Sequence, residues 1–131
     1  MRIVIVEDSV LLREGIARLL NESGHEVVGQ LADAMTVVAC VAELHPDLVV
    51  LDVRLPPTFT DEGIRAALAV RHAAPSQPIL VLSQYVEERY AGELLAGDVA
   101  GVGYLLKDRV IDVGDFLASL RRVAAGGSAV D

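Results

Sequence analysis

The sequence predicts an α/β fold in which helices cover both faces of a single parallel β-sheet. Five short aliphatic runs alternate with segments of helical periodicity along the 131 residues, a length that suits one domain. Several of the runs are apolar throughout, as expected of strands that are covered on both faces. Because parallel strands are joined by right-handed crossovers, this alternation indicates a doubly wound sandwich.

The predicted strands and helices follow one another regularly. The strands are expected at residues 3–6, 26–29, 48–51, 79–82 and 102–106. The first helix is indicated by apolar residues at helical spacing before a stop at Gly24: Leu12, Ile16, Leu19 and Leu20. Three more helices are expected, from an Asp33 cap to about Pro46, from Asp61 to Ala74, and from Val86 to Gly97. The last helix is indicated by Val113, Phe116, Leu117, Leu120 and Val123.

Composition and charge exclude several classes of protein. A content of 53% hydrophobic and 23% charged residues supports a packed core and argues against disorder. The 19 acidic and 11 basic residues give a net charge of -8, which opposes direct binding to DNA or RNA. No apolar run is long enough for a membrane span or a secretory signal, so a cytoplasmic protein is expected. Cys40 is the single cysteine, which excludes an internal disulfide and a cysteine-based zinc site.

Charged and polar residues stand directly after four of the predicted strands. Glu7 and Asp8 follow the first strand, Asp52 the third, Ser83 the fourth and Lys107 the fifth. In an open parallel sheet, ligands bind in the crevice beyond the carboxyl ends of the strands. We therefore expect these side chains to converge on one edge of the sheet and to form a site there.

Three carboxylates at one edge require a compensating positive charge. Two like charges about 4 Å apart repel by roughly 4 kcal/mol at an effective dielectric constant near 20. A divalent cation offsets this repulsion, and Mg2+ suits the site because it prefers oxygen ligands and leaves positions open for a phosphoryl group. Lys107 adds a charge that fits phosphoryl oxygens or, without phosphate, Asp52 itself.

Taken alone, each of these residues also has a purely structural interpretation. Asp8 or Ser9 could cap the first helix, Ser83 could be a loop hydroxyl, and Lys107 could be a solvated charge. Tyr104 could be half-buried packing with a wet hydroxyl. Their placement on one face of one predicted architecture favours a site. Three histidines lack metal-ligand spacing and are expected at the surface: His25, His45 and His72.

Together these residues resemble the receiver domain of two-component response regulators, over residues 2–123. The resemblance is closest to the NarL/FixJ (LuxR-type) class. It rests on three stretches: Val4-Ile5-Val6-Glu7-Asp8-Ser9, Leu51-Asp52-Val53-Arg54-Leu55-Pro56 and Gly103-Tyr104-Leu105-Leu106-Lys107-Asp108. It implies a flavodoxin-like (βα)5 fold whose five-stranded parallel sheet has the order 2-1-3-4-5.

The resemblance also implies a role for each residue of the site. Asp52 would accept a phosphoryl group from a phosphohistidine of a sensor histidine kinase. Asp8 and Asp52 would bind Mg2+ directly, Glu7 through water, and Arg54 through its backbone carbonyl. Lys107 would neutralise the phosphoryl oxygens. The protein would thus be a regulatory phosphoacceptor that catalyses only its own phosphorylation and dephosphorylation.

Switching and partners follow from the same resemblance. Ser83 would hydrogen-bond the arriving phosphoryl group and let Tyr104 rotate toward the core, which would alter a face used for dimerisation or for holding an effector. Residues 1–123 would form the receiver domain and residues 124–131 the start of a linker. The effector is expected to be a C-terminal helix-turn-helix domain outside this sequence, through which alone the protein would contact DNA.

The sequence departs from the family pattern around the site. About three extra residues separate Asp52 from Gly63, and they are expected to alter access to the site. Gln84 stands where a small residue is usual and could narrow the approach to Asp52. Glu7 and Ser83 replace the common Asp and Thr but retain their chemistry.

Three other functions remain open at this point. The longer loop and Gln84 suggest a phosphorylation-independent receiver that works only through protein contacts. A small Mg2+-dependent phosphohydrolase of the haloacid dehalogenase kind would need a second Asp where Arg54 stands. A flavin mononucleotide module is disfavoured because Glu7 and Asp8 would repel its phosphate.

Overall fold

The computed structural model describes residues 1–84, 92, 94–97 and 100–131. The strands are β1 (Arg2–Val6), β2 (Glu26–Leu31), β3 (Leu48–Asp52), β4 (Ile79–Ser83), β5 (Val102–Leu106) and β6 (Ala129–Val130). The helices are α1 (Val10–Glu22), α2 (Val37–Leu44), α3 (Glu62–Ala73) and, after a 3-10 helix at Lys107–Ile111, the C-terminal helix (Val113–Ala124). No helix in these ranges is long and apolar enough to span a membrane.

The described strands form one parallel sheet in the order β2-β1-β3-β4-β5-β6. The predicted order 2-1-3-4-5 is confirmed for the first five strands, but a five-stranded sheet was wrong. Ala129 pairs with Gly103 and Val130 with Tyr104, so a sixth strand covers the edge of β5. An unpaired strand edge offers free backbone hydrogen-bonding groups, which even a two-residue segment can satisfy.

The chain after the C-terminal helix is part of the sheet. Gly126, at a φ of 95°, turns the chain back after the helix ends at Ala124. Asp131 then donates its backbone N–H to Tyr104 and accepts the N–H of Leu106 on its carboxylate. The segment expected to begin a linker is therefore ordered and returns to the sheet, because tertiary pairing overrides its flexible composition. The assignment of residues 124–131 as the start of a linker stays a prediction.

Each face of the sheet carries its own hydrophobic layer. Side chains alternate along the strands, so neighbouring residues point to opposite faces. Ile3, Ile5 and Val50 pack with α1 and the C-terminal helix on one face. Val4 and Val49 pack with α2 and α3 on the other. The predicted doubly wound α/β sandwich is confirmed.

Most helix boundaries agree with the predictions. α1 begins after Ser9, whose hydroxyl accepts the N–H of Leu12, and α3 begins after Asp61. The Asp33 cap was wrong: its carboxylate accepts the N–H of Met35 in a local turn, and α2 begins only after Thr36. Short-range side-chain hydrogen bonds of Asp compete with helix starts in this way. The helix expected from Val86 to Gly97 lies mostly outside the described residues.

Candidate functional site

The sheet brings the ends of its three central strands to one edge. Val6 on β1 is paired with Leu51 on β3, so the next residues, Glu7 and Asp52, stand at the same level. Asp52 is in turn paired with Leu82 on β4, one residue before Ser83. The predicted convergence is thus a consequence of the parallel register.

Glu7, Asp8 and Asp52 form a compact group of carboxylates. One oxygen from each lies within 4.8 Å of the other two. Glu7 and Asp52 are buried, with exposed fractions of 3% and 6%, whereas Asp8 is half-buried. Oxygen donors in this number and spacing fit a hard divalent cation such as Mg2+, with further positions left for water or phosphate.

Lys107 links two of the three acids. Its Nζ donates to Glu7 Oε1 at 2.9 Å and to Asp52 Oδ2 at 3.0 Å. Burial by itself lowers the pKa of Lys107, but the hydrogen bonds and the charges of Glu7 and Asp52 outweigh it, so the pKa lies above its usual value. The ammonium therefore stays charged and compensates part of the carboxylate repulsion.

The surroundings of Asp8 disfavour the negative charge of its carboxylate. Desolvation raises the pKa of Asp8, and the hydrogen bond and negative charge of Glu7 raise it further. Ser9, not Asp8, caps α1, which leaves the Asp8 carboxylate available to a ligand. The backbone of Glu7 is held by Arg13, whose Nη1 donates to the Glu7 carbonyl at 2.6 Å. The sequence offered no distinct signal for this supporting contact.

The other predicted residues lie at the same edge. Ser83 is buried at the end of β4 and is paired with Leu106, directly before Lys107. Tyr104 is 2% exposed within the layer that packs against α2 and α3, so it lies inward and is not half-buried with a wet hydroxyl. Arg54 lies beside the acids, and its proposed carbonyl ligand stays a prediction. The histidines take no part in the site: His45 and His72 are exposed, and His25 lies 3.1 Å from the N-terminal amine.

A depression of about 280 Å3 opens above Asp52. Its described lining contains the predicted Asp8, Asp52, Arg54, Gln84 and Lys107 together with Phe59, which the sequence analysis did not single out. The signal for it in the sequence is an aromatic residue inside the longer loop after Asp52. The structure therefore places an aromatic ring from the additional loop at the phosphoacceptor candidate.

Glu62 organises this loop. Its carboxylate accepts the N–H and the hydroxyl of Thr58 at 2.7 and 2.6 Å, and the N–H of Thr60 at 3.1 Å. Phe59 lies between these two threonines at a φ of 55°, a conformation that bulky residues rarely adopt. The hydrogen bonds that the Glu62 carboxylate accepts from both threonines thus hold the segment that carries the aromatic ring.

These hydrogen bonds give the loop a defined pH dependence. The Thr58 hydroxyl and the N–H groups of Thr58 and Thr60 lower the pKa of Glu62 from 4.5 to about 2, against an opposing desolvation. A depressed folded-state pKa contributes stability above the unfolded value of 4.5 that is lost as the pH falls toward 2. We expect the wild type to exceed Glu62→Gln in unfolding free energy at neutral pH, with the difference shrinking through this window. Urea denaturation at each pH measures it, and a pH-independent difference would contradict the assignment.

A larger cleft of about 530 Å3 lies at the opposite edge of the sheet. It is lined by residues that precede β3 and β4, among them Pro46, Asp47 and Pro78, and by parts of α2 and α3. None of the clustered carboxylates or Lys107 lines it. Volume alone therefore does not identify the functional site of this protein.

Comparison with known proteins agrees with this geometry. Residues 3–118 match the family model of the response regulator receiver domain. The chain is 33% identical over 99% of its length to the uncharacterized transcriptional regulatory protein YxjL of Bacillus subtilis, and 32% identical over 98% to the transcriptional regulatory protein DegU of Brevibacillus brevis. It spans 56% and 52% of these relatives, about half of their length.

Solved structures show the same likeness. The signal receiver domain of the putative response regulator NarL from Mycobacterium tuberculosis has a TM-score of 0.73 and 31% identity, with 92% of this chain and 95% of that chain covered. A two-component response regulator of the LuxR family from Aurantimonas has a TM-score of 0.80 and 27% identity, with 98% and 87% covered. Fold, strand-end acids and family match agree: this chain belongs to the receiver domains of NarL/LuxR-type response regulators.

Proposed function

We propose that the protein is a phosphorylation-driven switch in which Asp52 accepts a phosphoryl group from a phosphohistidine of a sensor histidine kinase. One observation carries the proposal. The Asp52 carboxylate opens onto a depression while lying 3.0 Å from the Lys107 ammonium and beside two further carboxylates. A nucleophile, a fixed cation and oxygen ligands for a metal are the parts that phosphoryl transfer requires.

The chemistry follows from these positions. A carboxylate oxygen of Asp52 attacks phosphorus, the P–N bond to the donor histidine breaks, and the imidazole recovers a proton from solvent. Lys107, now paired with Glu7 and Asp52, is placed to bind a phosphoryl oxygen as negative charge leaves the Asp52 carboxylate. Mg2+ held by Asp8 and Asp52, with Glu7 and the Arg54 carbonyl, would supply further neutralisation of the phosphoryl oxygens.

The buried positions of Ser83 and Tyr104 support a path by which phosphorylation of Asp52 would change the conformation of the surface. Ser83 is paired with Leu106 on β5, two residues beyond Tyr104 on the same strand. A hydroxyl drawn toward a phosphoryl oxygen would move the end of β4 against β5 and bias the packing of Tyr104. Such a local charge event acting on a two-state element is how phosphorylation switches work.

Partners are proposed from the same family. The relatives named as transcriptional regulators are about twice as long as this chain, which supports an effector domain, with DNA contacted only through it. The net charge of -8 is consistent with a receiver that does not bind DNA itself. We further propose that the protein forms a homodimer. It would act in the cytoplasm, where sensor kinases present their phosphohistidine.

The proposal is tested by incubation with Mg2+ and a small phosphodonor. Wild type is expected to gain one phosphoryl group by intact mass, and Asp52→Asn to gain none, because the amide is not a nucleophile at phosphorus. Asp47→Asn serves as a matched control, since Asp47 is exposed at the opposite edge of the sheet. A wild type that stays unmodified, or an Asp52→Asn variant that is still phosphorylated, would overturn the proposal.

A phosphorylation-independent receiver is the second candidate. It is favoured by Phe59 and Gln84, which line the approach to Asp52. In that case Asp52→Ala would bind its protein partners as the wild type does and Mg2+ would bind weakly. Isothermal titration with Mg2+ distinguishes the two candidates, since the switch requires binding at Glu7, Asp8 and Asp52.

A further inference from the structure

We propose that Phe59 is a fixed cover over the Asp52 pocket that limits access of water to the phosphoryl group and so sets the lifetime of the phosphorylated state. The inference rests on the proposed phosphorylation of Asp52. It assigns Phe59 a positioning role, because the ring acts by occupying space beside the reacting atoms and performs no chemistry itself.

Phe59 differs in chemical character from the other residues of the pocket. Among the described residues that line the depression, Phe59 alone has an apolar side chain, and the others are charged or amide groups. Phe59 is 47% exposed as a residue, so it gains only part of the stabilisation that a core aromatic receives. A half-exposed ring on a polar rim is poorly explained by packing.

The backbone of Phe59 adopts the left-handed conformation. A left-handed conformation is unfavourable for a bulky residue and persists only when its surroundings impose it. Here they do so from both sides. The Phe59 N–H donates to Leu55, which is completely buried, at 2.9 Å, and Glu62 binds Thr58 and Thr60 on either side. The ring is therefore held at the pocket by a structured loop.

The chemistry of hydrolysis gives this position a consequence. Loss of the phosphoryl group requires a water oxygen to attack phosphorus in line with the bond to Asp52. The P–O bond to Asp52 then breaks, the carboxylate is restored, and inorganic phosphate leaves with the oxygen of the water, whose two protons stay on the phosphate or pass to solvent. Leu51 and Val53 are buried on either side of Asp52 along the chain, so water reaches phosphorus through the depression that Phe59 lines.

The lifetime of the acyl phosphate tests the inference. Wild type, Phe59→Asn and Phe59→Leu are phosphorylated with a small donor and Mg2+, the donor is removed, and the loss of the phosphoryl group is followed by intact mass. Asn tolerates a positive φ but removes the ring, whereas Leu retains an apolar cover. We expect about tenfold faster loss in Phe59→Asn, equivalent to about 1.4 kcal/mol in activation free energy, and a rate near the wild type in Phe59→Leu.

Two further variants separate the cover from general effects on the loop. Glu62→Gln weakens the hydrogen bonds around Phe59 and is expected to speed the loss while retaining the ring. Met35→Asn removes another exposed apolar side chain, one that does not line the depression, and is expected to leave the lifetime unchanged. Melting temperatures of the unphosphorylated proteins report any structural damage separately from the lifetime.

The outcomes distinguish this inference from the proposed function. A wild type that takes up no phosphoryl group refutes the function of Asp52, and the role of Phe59 falls with it. A wild type and a Phe59→Asn variant that are both phosphorylated and lose the group at equal rates overturn the cover while leaving the switch intact. Slower loss in Phe59→Asn overturns it as well.

Discussion

Replacing Gly63 by alanine is expected to lower the free energy of unfolding by about 3 kcal/mol or more, the upper end of what overpacking usually costs. Gly63 lies in the first turn of α3, and a Cβ placed there would stand 1.8 Å from the backbone oxygen of Asp52. Backbone atoms cannot yield as a flexible side chain does. The methyl group must therefore push α3 away from the strand that carries the phosphoacceptor candidate.

The same change is expected to weaken Mg2+ binding. The N–H of Gly63 donates to the Val53 carbonyl at 2.8 Å, so a displaced helix loses a hydrogen bond next to Asp52 and shifts that carboxylate relative to Asp8. Urea denaturation measures the stability and a Mg2+ titration measures the site. Both are expected to fall together in Gly63→Ala.

Gly15→Ala is the matched control for this prediction. Gly15 lies in α1 and has nothing within 4 Å of the position of a Cβ. Alanine is favoured over glycine inside a helix, so this variant is expected to gain roughly 0.5–1 kcal/mol. A Gly63→Ala variant as stable as the wild type would contradict the close approach of α3 to β3.

Replacing Lys107 by methionine is expected to cost about 2–3 kcal/mol without Mg2+, somewhat below the cost of breaking a fully buried ion pair. The Lys107 side chain is 24% exposed, whereas those of Glu7 and Asp52 are 4% and 7% exposed. Without the ammonium, two buried carboxylates and Asp8 repel one another uncompensated. Because the pKa of Lys107 is raised in the folded state, the contribution of its ammonium to stability is fully present at neutral pH. This contribution is lost only as the pH rises through the raised pKa.

Magnesium makes this prediction specific. A cation bound only by the folded state stabilises it by mass action, and without Lys107 it has no competing ammonium at Glu7 and Asp52. We therefore expect Mg2+ to raise the melting temperature of Lys107→Met more than that of the wild type. Arg18→Met is the control, because Arg18 and Glu22 form an exposed ion pair whose loss is expected to change little. If Mg2+ raised the melting temperatures of wild type and Lys107→Met equally, Lys107 and Mg2+ would not share the carboxylates of Glu7 and Asp52.

The composition of the site was predictable because local pattern and a general rule of parallel sheets act together. Glu7, Asp52 and Lys107 each follow directly after an apolar run, and each run is long enough to be recognised as a buried strand. Parallel strands place their carboxyl ends at one edge, so convergence followed without knowledge of distances. The pairing of Lys107 with both Glu7 and Asp52 follows only from the folded structure, since the sequence left open a solvated amine.

The sixth strand and the start of α2 could not be predicted, because the local residue pattern indicated a different structure at each. β6 directly follows Gly126, Gly127 and Ser128, a composition typical of linkers, and Ala129 and Val130 form a strand only because the edge of β5 is adjacent. Asp33 resembled a helix cap but bonds locally to Met35. In both cases the competing interaction depends on the surrounding structure and not on the residues themselves.

The sequence by itself determined which chemical groups this receiver domain possesses and at which end of its sheet they meet, because hydrophobic periodicity and strand direction are properties of the chain. Only the tertiary structure decided how closely α3 approaches Asp52 at Gly63, where the loop holds Phe59, and which acids Lys107 joins. These depend on the distances between segments of the folded chain, which tertiary packing sets and a residue pattern does not determine.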